Sequence, residues 1–428
     1  MAIAMFLLEK GFWPGALLAG CVAFLFYHTS PHSHPAVYPL EPDFGAASDE
    51  FRVTMAGMTG MPLVPGNNVE IYNNGDEFYP AMLDAIERSQ HSVTMEQHMF
   101  WNGQVGRRFA QAFAEKAQQG ISVKLLVDAV GSPALSDEIQ KILRNSGCQI
   151  AWFRPIHWYT PDRANHRTHR KSLILDGRIA FTGGAGIADC WLGTAEHEGQ
   201  WRDIQVRVEG PAVLAQQTGF AQNWLLTTGE LLSGHEFFPL PEPAGDLDVQ
   251  TILSSPVSGA GAVGTMYMIA LQCARDYLYI ANPYFIPDLR VIAMLDDARR
   301  RGVVIKLMVA GKRNDSWWAR QNSLRLYGRL LEAGVEIYEF LPAMLHQKTM
   351  VVDGAWATVG TTNFDNRSFA LSEETNICFW QPALVEELRQ IFIADLARCQ
   401  KIELGTWKRR GTWQQTKEKF ASLIEDQV

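Results

Sequence analysis

The feature that most constrains the fold is a short motif that the chain carries twice. The first copy reads HRKSLILD and the second reads HQKTMVVD, and both fit the pattern H-x-K-x4-D. The motif residues are His169, Lys171, Asp176, His346, Lys348 and Asp353. One copy could arise by chance, but two copies 177 residues apart, each followed by a strand pattern and a glycine-rich turn, indicate a duplicated structural unit.

The segments around the two motifs follow the same order in each half of the chain. Helices are predicted at 76–90, 103–120, 136–147, 262–276, 288–302 and 322–334. Strands are predicted at 91–101, 121–128, 148–153, 277–286, 303–311 and 335–340. Such alternation predicts an α/β fold in which helices cover both faces of a sheet. We therefore expect two tandem halves, each a mixed β-sheet flanked by helices, related by pseudo-twofold symmetry.

Four segments are predicted along the chain. Residues 1–30 form a hydrophobic N-terminal anchor, and 31–65 form a linker rich in Pro, His and Ser. The first half covers 66–240 and the second covers 241–428. The boundary between the halves falls at the proline-rich sequence FFPLPEPAGD.

The N-terminal segment contains 16 consecutive residues without a charge, at 12–27. A membrane-spanning helix needs about 20 apolar residues, so this one is short, but Trp13 and Tyr27 stand where interface anchors are expected. Lys10 precedes the segment and no Lys or Arg follows until Arg52, which favours a body outside the cytoplasm. A cleaved signal peptide and a lipoprotein signal at LAGC stay open as alternatives.

The composition argues against several classes of protein. With 47% apolar and 20% charged residues the chain is globular, and its net charge of −8 argues against binding to nucleic acid through the overall field. The six cysteines are scattered and form no C-x-x-C pair, so neither a disulfide framework nor a zinc site is predicted. We expect no metal and no cofactor.

The residue types of the two motifs suit the chemistry of phosphoryl groups. Alternation along a strand places the His and the Lys of one motif on the same face. Two such faces across a pseudo-twofold axis surround one cavity with two imidazoles and two ammonium groups. One His can attack phosphorus while the other moves protons, and the lysines and the backbone donors of the following turns stabilise negative charge. The expected supporting residues in these turns are Gly183, Gly184, Gly360, Thr361 and Asn363.

The paired HKD motifs resemble those of the phospholipase D superfamily, over residues 66–428. The segments ANPYFIPD, WRDIQVRVEGPAV and LLEAGVEIYEFLPAMLHQKTMVVDGAWATVGTTN are similar, more narrowly, to bacterial cardiolipin synthases. The resemblance implies two phospholipase D-like halves in a bacterial inner-membrane enzyme. It also implies transfer of a phosphatidyl group from one phosphatidylglycerol to another, or to a related lipid, through a phosphohistidine and with release of glycerol.

The same resemblance assigns the histidines their roles, with His169 as nucleophile and His346 as general acid and base. A hydrolase of the same superfamily, either a phospholipase D or a nuclease, is the alternative function, because water can replace the lipid alcohol at the same intermediate. A nuclease is expected to carry a wide basic groove with stacking aromatic residues. The negative net charge and the apolar N-terminal segment argue against it. The expected partners are phosphatidylglycerol, other phospholipids and the membrane, and not nucleic acid.

Several acidic residues and one glycine have separate expectations. Asp203 and Glu374 are expected to orient the two imidazoles, with a surface charge at a strand edge as the alternative. Asp176 and Asp353 are expected to fix the strand ends and not to transfer protons. The turn after the first motif departs from the family pattern, because Gly186 stands where the family has an asparagine.

Two further histidines lie near the first motif in sequence or in the predicted sheet. His166 and His169 have a metal-like spacing, but His166 aligns with Ala343, so the duplicated chemistry does not require it. His98, in the strand predicted at 91–101, is expected to be a core or rim histidine.

Two segments of the second half mix aromatic and basic residues, at 311–325 and 405–419. Each could contact lipid headgroups or acyl chains. Packing on the domain edge or a solvated helix is the alternative for both. Trp317 and Trp318 are the candidate lipid contacts in the first of these segments.

Overall fold

The computed structural model describes residues 20–21, 42–156, 166–256 and 261–422. The predicted N-terminal anchor therefore falls almost entirely outside the described residues and stays a prediction. The described part of the chain holds no helix that is both long and apolar enough to cross a membrane.

The first half forms a mixed sheet covered by helices. Its strands are β1 (Val64–Asn73), β2 (Ser92–Gln97), β3 (Ser122–Asp128), β4 (Gln149–Phe153), β5 (Arg167–Thr168), β6 (Lys171–Leu175), β7 (Ile179–Gly183), β8 (Trp201–Arg202) and β9 (Ile204–Glu209). The helices up to the end of this half are α1 (Asp49–Thr59), α2 (Gly75–Arg88), α3 (Gln104–Gln118), α4 (Asp137–Asn145) and α5 (Val213–Thr228). The strand order is β1-β9-β7-β6-β2-β3-β4, with β2, β3 and β4 parallel.

The second half repeats this arrangement. Its strands are β10 (Leu247–Ser254), β11 (Tyr277–Ala281), β12 (Val304–Ala310), β13 (Glu336–Phe340), β14 (Met344–Leu345), β15 (Thr349–Val352), β16 (Trp356–Gly360), β17 (Ser372–Phe379) and β18 (Cys399–Ile402). Its helices are α6 (Ala262–Cys273), α7 (Leu289–Arg300), α8 (Trp317–Glu332), α9 (Asn366–Ala370), α10 (Pro382–Leu396), α11 (Leu404–Lys408) and α12 (Thr412–Ala421). The strand order is β10-β17-β16-β15-β11-β12-β13-β18.

The two strand orders match each other outward from β1 and β10. These two strands pair in antiparallel fashion, so the half-sheets join into one continuous sheet with the pseudo-twofold relation at its centre. Two short parallel contacts, β5 with β17 and β8 with β14, also cross between the halves. The fold predicted from the duplication is confirmed, and the crossing contacts place the motif histidines, which directly follow β5 and β14.

Helix α4 shows how local sequence sets an element. The hydroxyl of Ser136 accepts a hydrogen bond from the N–H of Ile139 at 3.3 Å, which caps the helix. Asp137 and Glu138 lie in the first turn, where negative charge complements the positive end of the helix dipole. Ile139 and Leu143, four residues apart, are both buried.

The segment 31–65, predicted as a linker, contains helix α1. Ser48 caps this helix, and its buried face carries Phe51 and Met55. The ring of Phe51 packs edge-on against Trp356 of the second half, with centroids 6.0 Å apart. The linker prediction is wrong for these residues, because the surrounding Pro- and Ser-rich sequence hid a pair of apolar residues one helical turn apart.

Candidate active site

The two motifs meet where the halves contact each other. His169 follows β5, which pairs with β17 of the second half, and its N–H donates to the carbonyl of Glu373 at 2.9 Å. His346 follows β14, which pairs with β8 of the first half, and its N–H donates to the carbonyl of Arg202 at 2.8 Å. Each histidine is thus held by the backbone of the opposite half. The positive charges of Lys348 and His346, both from the second half, lower the pKa of His169.

Each imidazole is oriented by a carboxylate from the opposite half. Nδ1 of His169 lies 3.0 Å and 3.1 Å from the carboxylate oxygens of Glu374 in β17. Nδ1 of His346 lies 2.8 Å from Oδ2 of Asp203, which stands between β8 and β9. An ionised carboxylate only accepts hydrogen bonds, so each Nδ1 donates when its carboxylate is charged, and each Nε2 is then left for chemistry.

The two carboxylates are supported in different ways. Glu374 accepts a hydrogen bond from the hydroxyl of Thr361, and Asp203 accepts one from the indole N–H of Trp191 at 3.0 Å. Gly184 occupies the place in the first half that Thr361 occupies in the second. A Cβ on Gly184 would lie 2.3 Å from Oδ1 of Asp203, so the close approach of this carboxylate requires a glycine.

The two lysines are almost fully buried beside the histidines. Nζ of Lys171 donates to the carbonyl of His169 at 2.9 Å, and Nζ of Lys348 donates to the carbonyl of His346. Burial and the charge of Lys348 lower the pKa of Lys171, and burial lowers the pKa of Lys348 to about 8. A bound phosphodiester anion favours the charged form of both ammonium groups, so the pair forms a ready anion site.

The two pairs of acid and histidine differ in charge. Burial and the neighbouring lysines hold the pKa of His169 well below its usual value. Burial also lowers the pKa of His346, but Asp203 opposes that shift. Burial alone would raise the pKa of Asp203, yet its hydrogen bond to His346 and the charge of that ring outweigh burial and lower it. Burial raises the pKa of Glu374. His169 is therefore the imidazole more strongly held neutral, and Asp203 is the more firmly ionised carboxylate.

The motif aspartates lie at the other end of their strands. Each carboxylate accepts hydrogen bonds from three consecutive backbone N–H groups, at distances of 2.7–2.9 Å for the shortest bond to each. The donors are the backbone N–H groups of Gln90, His91, Ser92, Arg275, Asp276 and Tyr277. Asp176 thereby fixes the start of β2, and Asp353 fixes the start of β11. These contacts support a structural role for both.

The glycine-rich turns do not supply all the backbone donors that the sequence predicted. The N–H groups of Gly184, Gly360 and Thr361 donate to backbone carbonyls at 3.4, 3.1 and 2.9 Å, so the prediction is wrong for these three amides. The glycines serve close packing instead, because a Cβ on Gly183 or Gly360 would lie 2.2 Å or 2.4 Å from the adjacent strand. Asn363 is half-buried, and its Oδ1 accepts no hydrogen bond from the described residues.

Gly186 stands in the first half at the place that Asn363 takes in the second. A Cβ on Gly186 would lie 2.8 Å from the carbonyl oxygen of Met99 and 3.0 Å from the ring of Trp191. The carbonyl of Gly186 also accepts a hydrogen bond from the hydroxyl of Tyr79 at 2.8 Å. The first half therefore has no room for a second asparagine, and the departure from the family pattern is built into its packing.

We expect Gly186→Asn to lower the free energy of unfolding by about 1–3 kcal/mol, because the added side chain overpacks a closed site. We do not expect it to raise turnover. Denaturant unfolding and an activity assay measure the two effects. Gly199→Asn is the matched control, because a Cβ on Gly199 meets nothing within 4 Å; equal stability of the two variants would contradict the packing account.

Two side chains of the site, those of Trp191 and Trp201, were missed by sequence reasoning. The rings of Trp191 and Trp201 lie against His346, with centroids 5.5 Å and 5.0 Å away. The ring of His98 lies 5.0 Å from that of His169, and burial lowers the pKa of His98 to about 3, so this ring is neutral. The expectation of a rim histidine fits its half-buried position. One signal in the sequence could have pointed to Trp201: it stands two residues before Asp203, the acid predicted to orient an imidazole.

The family model described as "Cardiolipin synthase, PLD-like domain" matches residues 82–198 and 267–396. One matched segment lies in each half, and together they make up more than half of the chain. The chain belongs to the cardiolipin synthase family. The matched segments contain Glu374 and all six motif residues, whereas Asp203 lies just beyond the first of them.

Individual cardiolipin synthases give the same result. The chain is 33% identical over 352 residues to the cardiolipin synthase of Geobacillus thermodenitrificans, which covers 82% of this chain and 70% of that protein. It is 30% identical over 359 residues to the probable cardiolipin synthase YwiE of Bacillus subtilis, covering 84% and 72%. The predictions of the phospholipase D superfamily, of a phosphatidyltransferase and of a cardiolipin synthase are confirmed at the level of the family.

The fold has a counterpart among solved structures. The crystal structure of phosphatidylserine synthase from Haemophilus influenzae superposes with a TM-score of 0.67, covering 89% of this chain and 100% of that one. The sequence identity is 14%, so this likeness speaks for the fold alone. The same arrangement of two half-sheets thus occurs in this chain and in that protein.

Proposed function

We propose that the protein makes cardiolipin by transferring a phosphatidyl group from one phosphatidylglycerol to a second one. Besides the family, one observation carries the proposal. Two imidazoles, each with Nδ1 bonded to a buried carboxylate, meet beside two buried lysines. This set provides a nucleophile, a proton carrier and an anion site for one phosphodiester.

In the first step Nε2 of His169 attacks the phosphorus of phosphatidylglycerol. A P–N bond forms while the P–O bond to the glycerol headgroup breaks, and His346 gives its proton to the departing oxygen, so that glycerol leaves. The lysines and Asn363 stabilise the charge on the phosphoryl oxygens. The product of this step is a phosphatidyl group bound to His169.

In the second step a hydroxyl of another phosphatidylglycerol gives its proton to His346. Its oxygen attacks phosphorus, the P–N bond breaks, and the electron pair returns to Nε2 of His169. Two phosphatidylglycerol molecules thereby become one cardiolipin and one glycerol. The balance needs no oxidant, reductant or cofactor.

The electrostatics of the site support this division of roles. A nucleophilic imidazole must be neutral, and the pKa of His169 is held well below its usual value by burial and by the lysines. A general acid must hold a proton before it gives it away, and the ionised carboxylate of Asp203 stabilises the protonated ring of His346. In the reverse assignment His169 would carry the proton, although its partner Glu374 is the less firmly ionised of the two carboxylates.

Transfer, as opposed to hydrolysis, requires that water is kept from the phosphohistidine. Trp191 and Trp201 cover His346, the ring that activates the entering alcohol in this proposal. An aromatic wall at this point favours a lipid alcohol over water. This arrangement supports the transferase over the phospholipase D alternative.

We further propose that the catalytic body works at the surface of a bacterial inner membrane. Both proposed substrates are lipids, and residues 1–30 are predicted to form an anchor. The position of Lys10 before the anchor favours a body outside the cytoplasm.

The deciding experiment is to incubate the purified full-length protein with phosphatidylglycerol as the only lipid. We expect cardiolipin and glycerol in equal amounts. Phosphatidic acid as the only phospholipid product would contradict transfer and identify a phospholipase D, and cleavage of added nucleic acid would identify a nuclease. The double variant His169→Ala/His346→Ala, purified in the same way, is the control for contaminating activity.

A further inference from the structure

The start of α8 and the outer face of α12 expose four large aromatic side chains. The exposed fractions are 44% for Trp317, 37% for Trp318, 71% for Trp413 and 56% for Phe420; we call these four residues the aromatic patch. The rings of Trp317 and Trp318 lie 4.9 Å apart, and those of Trp318 and Phe420 lie 5.5 Å apart, so the patch joins both helices. Contiguous exposed apolar surface of this kind marks an interaction site.

Helix α12 leaves Trp413 and Phe420 largely exposed, although the ring of Phe420 also contacts Trp318 of α8. Trp413, Lys417 and Phe420 follow the i, i+4, i+7 spacing of one helix face. The side towards the body is largely polar: Gln414 donates to a glutamine of α8 at 2.7 Å, and the buried Glu418 forms an ion pair of 2.8 Å with an arginine between α11 and α12, with Ala421 as the buried apolar residue. A helix that only had to fold against the body would show the reverse arrangement. Packing within the described residues therefore covers only part of the aromatic side, because more than half of the surface of Trp413 and of Phe420 stays exposed.

Basic residues accompany the aromatic patch. Nζ of Lys417 lies 5.8 Å from the ring centroid of Trp413, and Lys419 is exposed beside Phe420. Indole rings with neighbouring lysines are typical of surfaces that lie at the boundary of a bilayer. The lysines also favour anionic headgroups, each by about 1 kcal/mol near the membrane surface. The chemistry of the patch therefore fits an anionic lipid surface.

The patch begins next to the active site. Asp315 precedes Ser316, the N-cap of α8, and the hydroxyl of Tyr284 donates to Asp315 and accepts from the N–H of Ser316 at 3.0 Å. Burial lowers the pKa values of Lys348 and His346, and the negative charge of Asp315 opposes this shift in both groups. A single residue, Ser316, thus separates the first indole of the patch from a carboxylate whose charge acts on Lys348 and His346.

We propose that the aromatic patch inserts into the boundary of an anionic bilayer and holds the catalytic body so that lipids enter the site on the side of His346. The inference rests on the proposed function, because an enzyme that transfers phosphatidyl groups must reach substrates that stay in the bilayer. The predicted anchor tethers the chain, and the patch sets the orientation of the body.

The first test separates membrane contact from chemistry. The variant Trp317→Ala/Trp413→Ala/Phe420→Ala in the full chain is assayed on phosphatidylglycerol vesicles and on short-chain phosphatidylglycerol below its micelle concentration. We expect about a tenfold loss on vesicles, from the lost burial of three rings, and unchanged turnover on the monomeric lipid. The matched control is Leu231→Ala/Leu240→Ala, which changes two exposed apolar residues of the first half. We expect this control to keep wild-type activity on vesicles and on the monomeric lipid. Equal loss on both substrates, or no loss on vesicles, would overturn the proposal.

The second test does not depend on turnover. Brominated phosphatidylglycerol quenches tryptophans that lie in a bilayer, so the wild-type chain should be quenched more strongly than the triple variant. Equal fractional quenching of the wild type and the triple variant would overturn the proposal. A wild type that self-associates, and that the triple substitution converts to monomers, would overturn it as well, because the patch would then bind a second copy of the chain. Should the wild type form no cardiolipin from either lipid, the proposed function fails, and quenching alone decides the role of the patch.

Discussion

Replacing His169 by alanine is expected to lower the rate of cardiolipin formation by about 10⁴-fold or more, because no covalent intermediate can form without the nucleophile. His346→Ala is expected to lose turnover as well, but for a different reason: the leaving glycerol oxygen then receives no proton. The two variants are told apart with phosphatidyl-p-nitrophenol, whose leaving group needs no proton. Rapid-mixing measurements of nitrophenolate should show a burst of about one equivalent per enzyme in His346→Ala and no burst in His169→Ala.

The control for this pair is His235→Ala, which removes an exposed histidine of the first half and should keep wild-type turnover. A burst in His169→Ala and none in His346→Ala would reverse the two roles. A burst in both variants would exclude a required covalent role for His169. Recovery of a phosphatidyl group on the protein in acid-free conditions identifies the residue that carries it.

Changing Asp203 to asparagine is expected to lower kcat by about 10²–10⁴-fold while the protein stays folded. The carboxylate oxygen that lies 2.8 Å from Nδ1 of His346 is then neutral, and the amide can turn its NH2 group towards that nitrogen. Either change destabilises the protonated form of His346, which the first step needs. A residual activity above one third of wild type, in a variant with unchanged thermal unfolding, would refute an orienting role.

The same variant has a signature in its pH dependence. Burial lowers the pKa of His346, and Asp203 raises it again, so removing the carboxylate lowers it further. Because the first step requires protonated His346, the alkaline limb of the kcat/KM profile should move to lower pH. Asp246→Asn, at an exposed acid between the halves, should leave the profile unchanged. An unmoved limb in Asp203→Asn would show that another group controls the proton transfer.

Much of the fold followed from the sequence because the chain repeats itself. The strand and helix patterns on both sides of the two motifs agree with the observed elements. Helix α1 was missed because its apolar residues are few and its flanks are rich in turn-forming residues. Its stability comes from packing on the second half, including Trp356, and no local pattern of 49–59 reveals such a partner.

The active site, like the fold, could be predicted from the sequence only in part. Residue type and spacing pointed to both histidines, both lysines and both orienting acids. They did not reveal that Glu374 serves His169 and that Asp203 serves His346, because the crossing depends on β5 pairing with β17 and on β8 pairing with β14. Trp191 and Trp201 were missed for the same reason, since their contact with His346 spans the two halves.

The amino-acid sequence by itself determined the duplication, the chemistry of its motifs and the family, because these depend on residue types at fixed spacings along one chain. The tertiary structure alone decided how the halves share their groups. It also decided that the N–H groups of Gly184, Gly360 and Thr361 are used within the sheet, and that Gly186 sits where a side chain would strike Met99 and Trp191. The exposure of the aromatic side chains of α12 was also decided by the tertiary structure, because exposure depends on what packs nearby and not on the residue itself.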